Sequence, residues 1–224
     1  MSPQFMVAAL EIVIINILLS GDNAVVIALA CRNLPPEQRR WGIIWGAAGA
    51  VLLRIVLTFF AVSLLALPYL NLVGGALLVW IGIKLITDDD GDEHEVKAAD
   101  KLVLAVRTII VADLVMSLDN VIGVAGAAKG SIVLIVFGLV VSIPLVIVGA
   151  QVFMKLIERF PILVVAGGGL LGFVAGEMMV GDTAVAGWID AHAHWLHWAA
   201  PIAGILFVIG AAKLMQRRRA RTAS

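Results

Sequence analysis

Charged side chains are scarce in this sequence. Only 14% of its 224 residues are Asp, Glu, Lys or Arg, whereas 62% are hydrophobic, and the mean hydropathy is +1.05. A typical soluble domain is about one-quarter charged. The composition therefore excludes an ordinary soluble protein. It predicts an integral membrane protein with a single membrane domain, residues 1–224, and no separate soluble module.

Three further absences narrow the possible functions. Cysteine occurs once, at Cys31, which excludes an internal disulfide and a thiolate cluster for a soft metal. No Gly-x-x-x-x-Gly-Lys-Ser/Thr stretch is present, so any transport would be secondary or would depend on a partner. No Lys or Arg precedes Arg32, and the first apolar run contains polar residues between positions 11 and 23. That pattern is untypical of a signal peptide, so we interpret this run as a retained span.

Seven apolar runs are long enough to cross a hydrocarbon core about 30 Å thick, which takes roughly 20 helical residues. Helices are expected because an isolated strand cannot pair its backbone groups in lipid. The runs lie at about 5–29, 41–66, 70–87, 102–127, 131–154, 161–181 and 199–216. The predicted fold class is therefore an all-α polytopic membrane protein with seven transmembrane helices.

The positive charges predict the orientation of the chain in the membrane. Thirteen Lys and Arg residues lie in the odd-numbered connections and the C-terminal tail, whereas the even-numbered connections contain only Lys129. This asymmetry places the N-terminus outside and the C-terminus in the cytoplasm. The acidic loop 88–100 and the basic tail 217–224 would then be cytoplasmic, and the loop 182–198 would lie outside.

One polar motif occurs twice. Asn16-Ile-Leu-Leu-Ser20-Gly-Asp22-Asn23 is echoed 97 residues later by Asp113-Leu-Val-Met-Ser117-Leu-Asp119-Asn120. The copies lie in the first and fourth spans, so the helices that carry them run in opposite directions. This predicts an inverted repeat of three helices, about 5–87 and 102–181, followed by the seventh helix. Such repeats commonly build secondary transporters with a site near the midplane; the alternative is that small polar residues only help helices to pack.

Each copy of the motif offers oxygen atoms that suit a hard divalent cation. A hydroxyl, an amide and a carboxylate fall on or beside one stripe of the helix, and two facing helices would supply about six oxygens for Mn²⁺, Mg²⁺ or Ca²⁺. Ionisable groups at membrane depth cost roughly 3 kcal/mol on insertion scales, so they indicate a functional site. The candidate metal ligands are Glu11, Asn16, Ser20, Asp22, Asn23, Asp113, Ser117, Asp119 and Asn120.

Four other residues are secondary candidates. Glu177 and Asp182 close the sixth span, where they either extend the cation route or mark a helix end at the lipid headgroups. Met116 shares the stripe of Asp113, and a thioether there would favour a transition ion such as Mn²⁺, although Met more often fills a core. Arg54 lies in mid-span and is expected to pair with a buried acid, which sets the charge of the site before a cation binds.

The acidic run 88–95 is a weaker pattern. It does not fit an EF-hand, because Glu93 stands where the turn glycine belongs and Ala99 where the bidentate Glu belongs. It is either a solvated linker or a weak cation-collecting loop.

The outer loop contains a histidine cluster. Asp190, His194 and His197 have spacings that can bind a metal, and His192 lies among them. The tryptophans at positions 188, 195 and 198 more simply indicate an interfacial helix. The sequence leaves both interpretations open.

Residues 16–30 and 112–127, with their Ser-x-Asp-Asn cores, closely resemble the paired motifs of the TerC family, within the LysE-like transporter grouping. The resemblance covers essentially the whole chain. It implies a bacterial cytoplasmic (inner) membrane protein linked to Mn²⁺ efflux, to metal supply for secreted enzymes and to tellurium resistance. By that similarity, Asp22-Asn23 and Asp119-Asn120 would form the cation site, with Glu11 and Asp113 nearby.

We therefore expect a secondary transporter that exports a divalent cation, with Mn²⁺ as substrate and proton entry as the driving force. No permanently bound cofactor and no nucleic-acid partner are expected. Enzymatic activity is not expected either, because Ser20 and Ser117 lack a His base at membrane depth. The expected partners are the metal ion, membrane lipid and a secretion-machinery or other membrane protein.

The alternative function is a non-transporting membrane assembly factor, a scaffold linked to secretion or to metal and tellurite stress. In that case the polar motifs would only fix helix packing. Export of an amino acid or an oxyanion fits poorly, because the surplus of buried charge is negative.

Overall fold

The computed structural model describes residues 21–65, 67–87, 98–127 and 132–222. All the elements in these ranges are α-helices, and no strand occurs in them. They are α1 Gly21–Cys31, α2 Pro36–Leu65, α3 Leu70–Thr87, α4 Ala98–Ala127, α5 Ile132–Arg159, α6 Ile162–Val180, α7 Ala186–His192 and α8 Leu196–Thr222. The predicted all-α fold class is confirmed.

Among the described residues, five helices are long and apolar enough to cross a membrane, namely α2, α3, α5, α6 and α8. α1 is apolar but has 11 residues, and most of the predicted first span lies outside the described ranges. α4 covers the predicted fourth span but is not among these five helices, and Asp100, Lys101, Arg107 and Asp113 lie along it. The count of seven spans and the inverted repeat stay predictions.

Large apolar side chains are exposed along these helices. Leu52, Phe60, Val148, Leu206 and Phe207 are each more than half exposed. A soluble protein with so many exposed apolar groups would tend to aggregate, whereas lipid tails solvate them well. The exposed faces are those of a multi-pass integral membrane protein.

The chain forms two compact units. The first unit contains the described residues up to 65 and those of 98–155. Within it, α1, α2 and α4 pack together. The second unit contains the described residues of 66–97 and 156–224. Within it, α3, α6 and α8 pack together. Each unit therefore contains helices from both predicted repeats. The single membrane domain stays a prediction.

Glycine lets the helices of the second unit approach closely. A Cβ atom on Gly204 of α8 would collide with the backbone carbonyl of Gly172 in α6, and the reverse is also true. A Cβ on Gly82 of α3 would lie 3.1 Å from the carbonyl oxygen of Gly168 in α6. Small residues are typical of such contacts, because van der Waals packing contributes strongly to helix association in lipid.

Asp182 fixes the start of α3 from a position that follows α6. It is 1% exposed, and its carboxylate accepts backbone hydrogen bonds from Tyr69 at 3.0 Å, Asn71 at 3.0 Å, Leu72 at 3.2 Å and Ala184 at 2.8 Å. The first N–H groups of a helix lack intrahelical acceptors, and a negative charge there suits the helix dipole. Burial raises the pKa of the Asp182 carboxyl, but the four N–H donors outweigh burial and hold its pKa below the usual value.

The turn before α3 is held by the same carboxylate. Tyr69 has φ 67°, in the left-handed region that residues other than glycine rarely adopt. Strain of this kind costs roughly 1–3 kcal/mol and persists only where the surroundings enforce it. The hydrogen bond from the Tyr69 N–H to Asp182 is part of that enforcement.

We expect Gly204→Ala to lower the free energy of unfolding by about 1–3 kcal/mol, because the added methyl group overpacks the contact between α6 and α8. Gly210→Ala is the matched control on the same helix, since nothing lies within 4 Å of its Cβ position. Ala also favours a helix over Gly by about 1 kcal/mol. Thermal unfolding in detergent measures both variants, and equal stability of the two would contradict the close approach.

We expect Asp182→Asn to destabilise the protein by about 1–3 kcal/mol, because an amide leaves some of the buried N–H groups without an acceptor. The pKa of Asp182 is lowered in the folded protein, so its contribution is complete above its unfolded pKa of about 3.9. That contribution is lost as the pH falls through the folded pKa. Thermal unfolding between pH 7 and pH 3 should show the wild type losing its advantage over Asp182→Asn only at the acid end. Asp100→Asn, at an exposed position, should show no such difference.

Candidate functional site

A buried ion pair joins α2 to α4 in the first unit. Arg54 donates from Nη2 to Oδ1 of Asp113 at 2.5 Å. The two residues are 4% and 5% exposed. Each charge therefore compensates the other, as a charge removed from solvent requires.

Ser117 lies one turn after Asp113 and completes a ring of hydrogen bonds. Arg54 Nε donates to Ser117 Oγ at 2.8 Å, and Ser117 Oγ donates to Asp113 Oδ2 at 3.0 Å. The i,i+4 spacing places Asp113 and Ser117 on one face of α4. Both oxygens of the carboxylate accept a hydrogen bond, so the ring fixes the orientation of Asp113.

Glycine on α2 explains why the two helices lie close enough for this ring. A Cβ atom on Gly49 would lie 2.7 Å from Ile110 Cδ1 of α4. A Cβ on Gly46 would likewise press into Ile109. Because Gly46 and Gly49 have no side chains, α2 can approach α4 closely. Arg54 lies after these glycines on the same helix.

A small cavity adjoins the ring and is about the size of one water molecule. Its lining residues come from α1, α2 and α4, and are Asn23, Val26, Ile27, Ala50, Ile109 and Asp113. Only Asn23 and Asp113 among them are polar, and Asn23 is 6% exposed. The cavity thus combines an amide and a carboxylate with otherwise apolar walls.

Asp22 brings a second carboxylate to this region. It is partly buried, and one of its oxygens accepts a hydrogen bond from the Asn23 backbone N–H at 2.8 Å. It is close enough to interact electrostatically with both Arg54 and Asp113. When both carboxylates are ionised, they outnumber the single guanidinium, so the cluster attracts a cation.

The structure therefore brings together Asn23, Asp113, Ser117 and the expected charge partner Arg54, with Asp22 nearby. The predicted ligands Glu11, Asn16 and Ser20 lie outside the described residues, as do the side chains of Asp119 and Asn120. The metal-binding roles of all these residues stay predictions.

The secondary candidates lie elsewhere. Met116 is buried on α4 at 4% exposure and does not line the cavity. Glu177 is exposed on α6, and Asp182 caps α3; both belong to the second unit. The acidic run 88–95 lies outside the described residues.

Two contacts of the candidate site residues were not predicted from the sequence. The i,i+4 spacing of Asp113 and Ser117 was a usable signal for their mutual hydrogen bond, but nothing indicated that Ser117 also accepts from Arg54. The cap formed by Asp182 had no local signal, because Tyr69 is 113 residues away along the chain.

The sequence pattern of the integral membrane protein TerC family matches residues 1–220. The chain belongs to the TerC family. The resemblance seen in the two Ser-x-Asp-Asn motifs is thereby confirmed. As a TerC-family protein, the chain is a multi-pass integral membrane protein.

Three relatives show how far this likeness extends. The uncharacterized membrane protein YjbE of Bacillus subtilis (strain 168) is 43% identical over 209 residues, which cover 93% of this chain and 95% of YjbE. The uncharacterized membrane protein YceF of the same organism is 27% identical over 178 residues, 75% of this chain and 68% of YceF. The UPF0053 inner membrane protein YgdQ of Escherichia coli (strain K12) is 26% identical over 176 residues, 71% of this chain and 74% of YgdQ. No solved structure matches the chain.

We expect Arg54→Gln and Asp113→Asn, made singly, each to lower the stability of the TerC-family protein by about 3–5 kcal/mol, because each leaves one buried charge uncompensated. The double variant removes both charges together and should recover most of that loss. Thermal unfolding of the four proteins in detergent measures the coupling. Additive losses in the double variant would show that the two charges do not compensate each other.

Proposed function

We propose that this TerC-family protein is a secondary transporter that exports a divalent cation, with Mn²⁺ as its main substrate. The buried carboxylate of Asp113, held by Arg54 and Ser117 beside the small cavity, carries the proposal. Ionisable groups inside membrane spans commonly mark ion pathways. Packing alone does not require a charge at this position.

The oxygen atoms beside the cavity support a hard cation as the substrate. Asp113 and Asn23 present carboxylate and amide groups to the cavity, and hard divalent ions prefer such oxygen ligands. Each carboxylate oxygen has two acceptor positions. Asp113 can therefore coordinate a cation while it keeps its bonds to Arg54 and Ser117.

The size of the cavity favours a cation that loses its water shell. A space of about one water molecule does not admit a fully hydrated ion. Mg²⁺ sheds its waters reluctantly and usually keeps several of them in protein sites. Mn²⁺, which the family resemblance also implies, is therefore the substrate that we choose over Mg²⁺.

Arg54 acts in this proposal as a resident cation. Its guanidinium balances the charge of Asp113 before the substrate binds. The same positive charge repels the entering dication unless further negative charge is present. Asp22, which interacts with both charges, supplies that further charge. The site then accepts one dication at a time, and its charge depends on whether Asp22 is ionised.

Export needs a source of energy beyond the ion gradient. Moving one charge outward against an inside-negative potential costs about 2.3 kcal/mol per 100 mV, and a dication carries two. We assign proton entry as that source. Asp22 is the proposed proton carrier, because Asp113 is already held in an ion pair with Arg54.

The test is Mn²⁺ transport by the purified protein in proteoliposomes with an imposed pH gradient. We expect Asp113→Asn to reduce the rate at least 10-fold, and Arg54→Gln/Asp113→Asn to be equally inactive although it is the more stable protein. Asp100→Asn makes the same chemical change at an exposed position of the same helix, and it should transport normally.

Dissipating the pH gradient in the same vesicles should stop uphill Mn²⁺ movement. Movement that continues unchanged would eliminate the proton-coupled mechanism but not transport itself. Normal Mn²⁺ transport by a folded Arg54→Gln/Asp113→Asn protein would reject the proposed site. Absence of transport by the wild type, with normal folding, would favour the scaffold alternative.

A further inference from the structure

A second cluster of metal-ligating side chains lies between α7 and the start of α8. Asp190, His194 and His197 each offer one ligand atom, and the three atoms lie within 4.8 Å of one another. His197 Nε2 lies 2.8 Å from Asp190 Oδ1. The rings of His194 and His197 are 5.2 Å apart between centroids and tilted by 56°.

A break in the helix creates this cluster. α7 ends at His192, Ala193 has φ −145° and ψ 44°, and α8 begins at Leu196. In one continuous helix, Asp190 and His197 would be separated by about 10.5 Å along the axis, at 1.5 Å per residue. The bend at Ala193 instead brings their side chains into contact.

Buried apolar residues hold the bend in place. Ile189 and Ala193 are 6% and 7% exposed, and the Ala193 N–H donates to the Ile189 carbonyl at 2.8 Å. The ligand side chains point the other way, since Asp190 and His194 are exposed and His197 is partly so. The backbone of the cluster is therefore fixed while its side chains are accessible.

We propose that Asp190, His194 and His197 form a binding site for a transition-metal dication. Two imidazoles and one carboxylate suit Zn²⁺ and the later first-row ions, whereas Mg²⁺ and Ca²⁺ prefer oxygen ligands alone. Ligand atoms around a tetrahedral Zn²⁺ are about 3.3 Å apart, from bond lengths of about 2.0 Å. Small rotations of the exposed side chains bring the three atoms to that separation, and water completes the coordination.

This site is distinct from the cavity beside Asp113 and does not depend on the proposed transport. It lies in the second unit, from α7 to the first residues of α8. Its ligands are mainly nitrogen, whereas the residues beside the cavity offer oxygen. Its order of preference should therefore be Zn²⁺ over Mn²⁺ over Mg²⁺.

His192 provides a matched control within the same eight-residue stretch, 190–197. Its ring stacks on Trp188 with centroids 5.5 Å apart and planes 17° apart, and its Nδ1 lies 3.2 Å from the Trp188 carbonyl oxygen. It is thus engaged away from the three ligands. The fourth histidine, His94, lies in the acidic run and is replaced by Ala in every protein tested.

The experiment is a calorimetric titration of the full-length protein in detergent with Zn²⁺, in the Arg54→Gln/Asp113→Asn background. We expect one Zn²⁺ per chain, and binding at least 10-fold weaker in His194→Ala, in His197→Ala and in Asp190→Asn. His192→Ala should bind as tightly as its parent. A tenfold excess of Mg²⁺ should not displace the Zn²⁺.

Two outcomes would overturn the site. The first is unchanged Zn²⁺ affinity in the three ligand variants, which would leave Asp190 and His197 as a hydrogen-bonded pair only. The second is an equal loss in His192→Ala, which would mean that any change in the segment disturbs binding. Neither outcome bears on Mn²⁺ transport, which is measured with the Asp113 variants.

Discussion

An ionised group inside a membrane span must be compensated by another group. The packing of the first unit depends on one such compensation, the ion pair of Arg54 and Asp113. Arg54 and Asp113 are both less than one-tenth exposed, and removing either partner of such a pair is expected to cost several kcal/mol. Their contact requires α2 and α4 to approach at Gly46 and Gly49. The close packing of α2 on α4 and the charge balance of the candidate site therefore depend on each other. Ser117 fixes the orientation of the two charged groups.

The two buried aspartates of the described chain illustrate different uses of a carboxylate. Asp182 accepts four backbone N–H groups, which keeps it ionised and engaged with the chain itself. Asp113 accepts from one arginine and one serine and also lines a cavity. Burial alone therefore does not distinguish a structural acid from a candidate ligand, whereas the identity of the donors and the adjoining space do.

The segment after α6 follows a third pattern, in which polar groups need no compensation because they are accessible. Buried Ile189 and Ala193 hold its backbone, and the side chains of Asp190 and His194 are exposed. A transition metal can be bound on such a segment without the desolvation that a charge inside a span incurs. The chain thus separates an oxygen-rich buried cluster from a nitrogen-rich accessible one.

The sequence by itself determined the membrane class, the all-α fold and the approximate positions of α2 to α6 and α8, because long apolar runs form helices in lipid. It also showed which charged residues stand among apolar neighbours, namely Asp113 and Arg54. Only the tertiary structure decided that these two residues meet, that Ser117 bridges them and that Asp182 caps α3, because these contacts join residues 59 to 113 positions apart. Helical periodicity shows which face of a helix a residue occupies. It does not show which helix packs against that face, because this depends on the close approach that glycine allows. The same holds for His197 and Asp190, whose contact depends on a bend at Ala193 that spacing along a continuous helix does not predict.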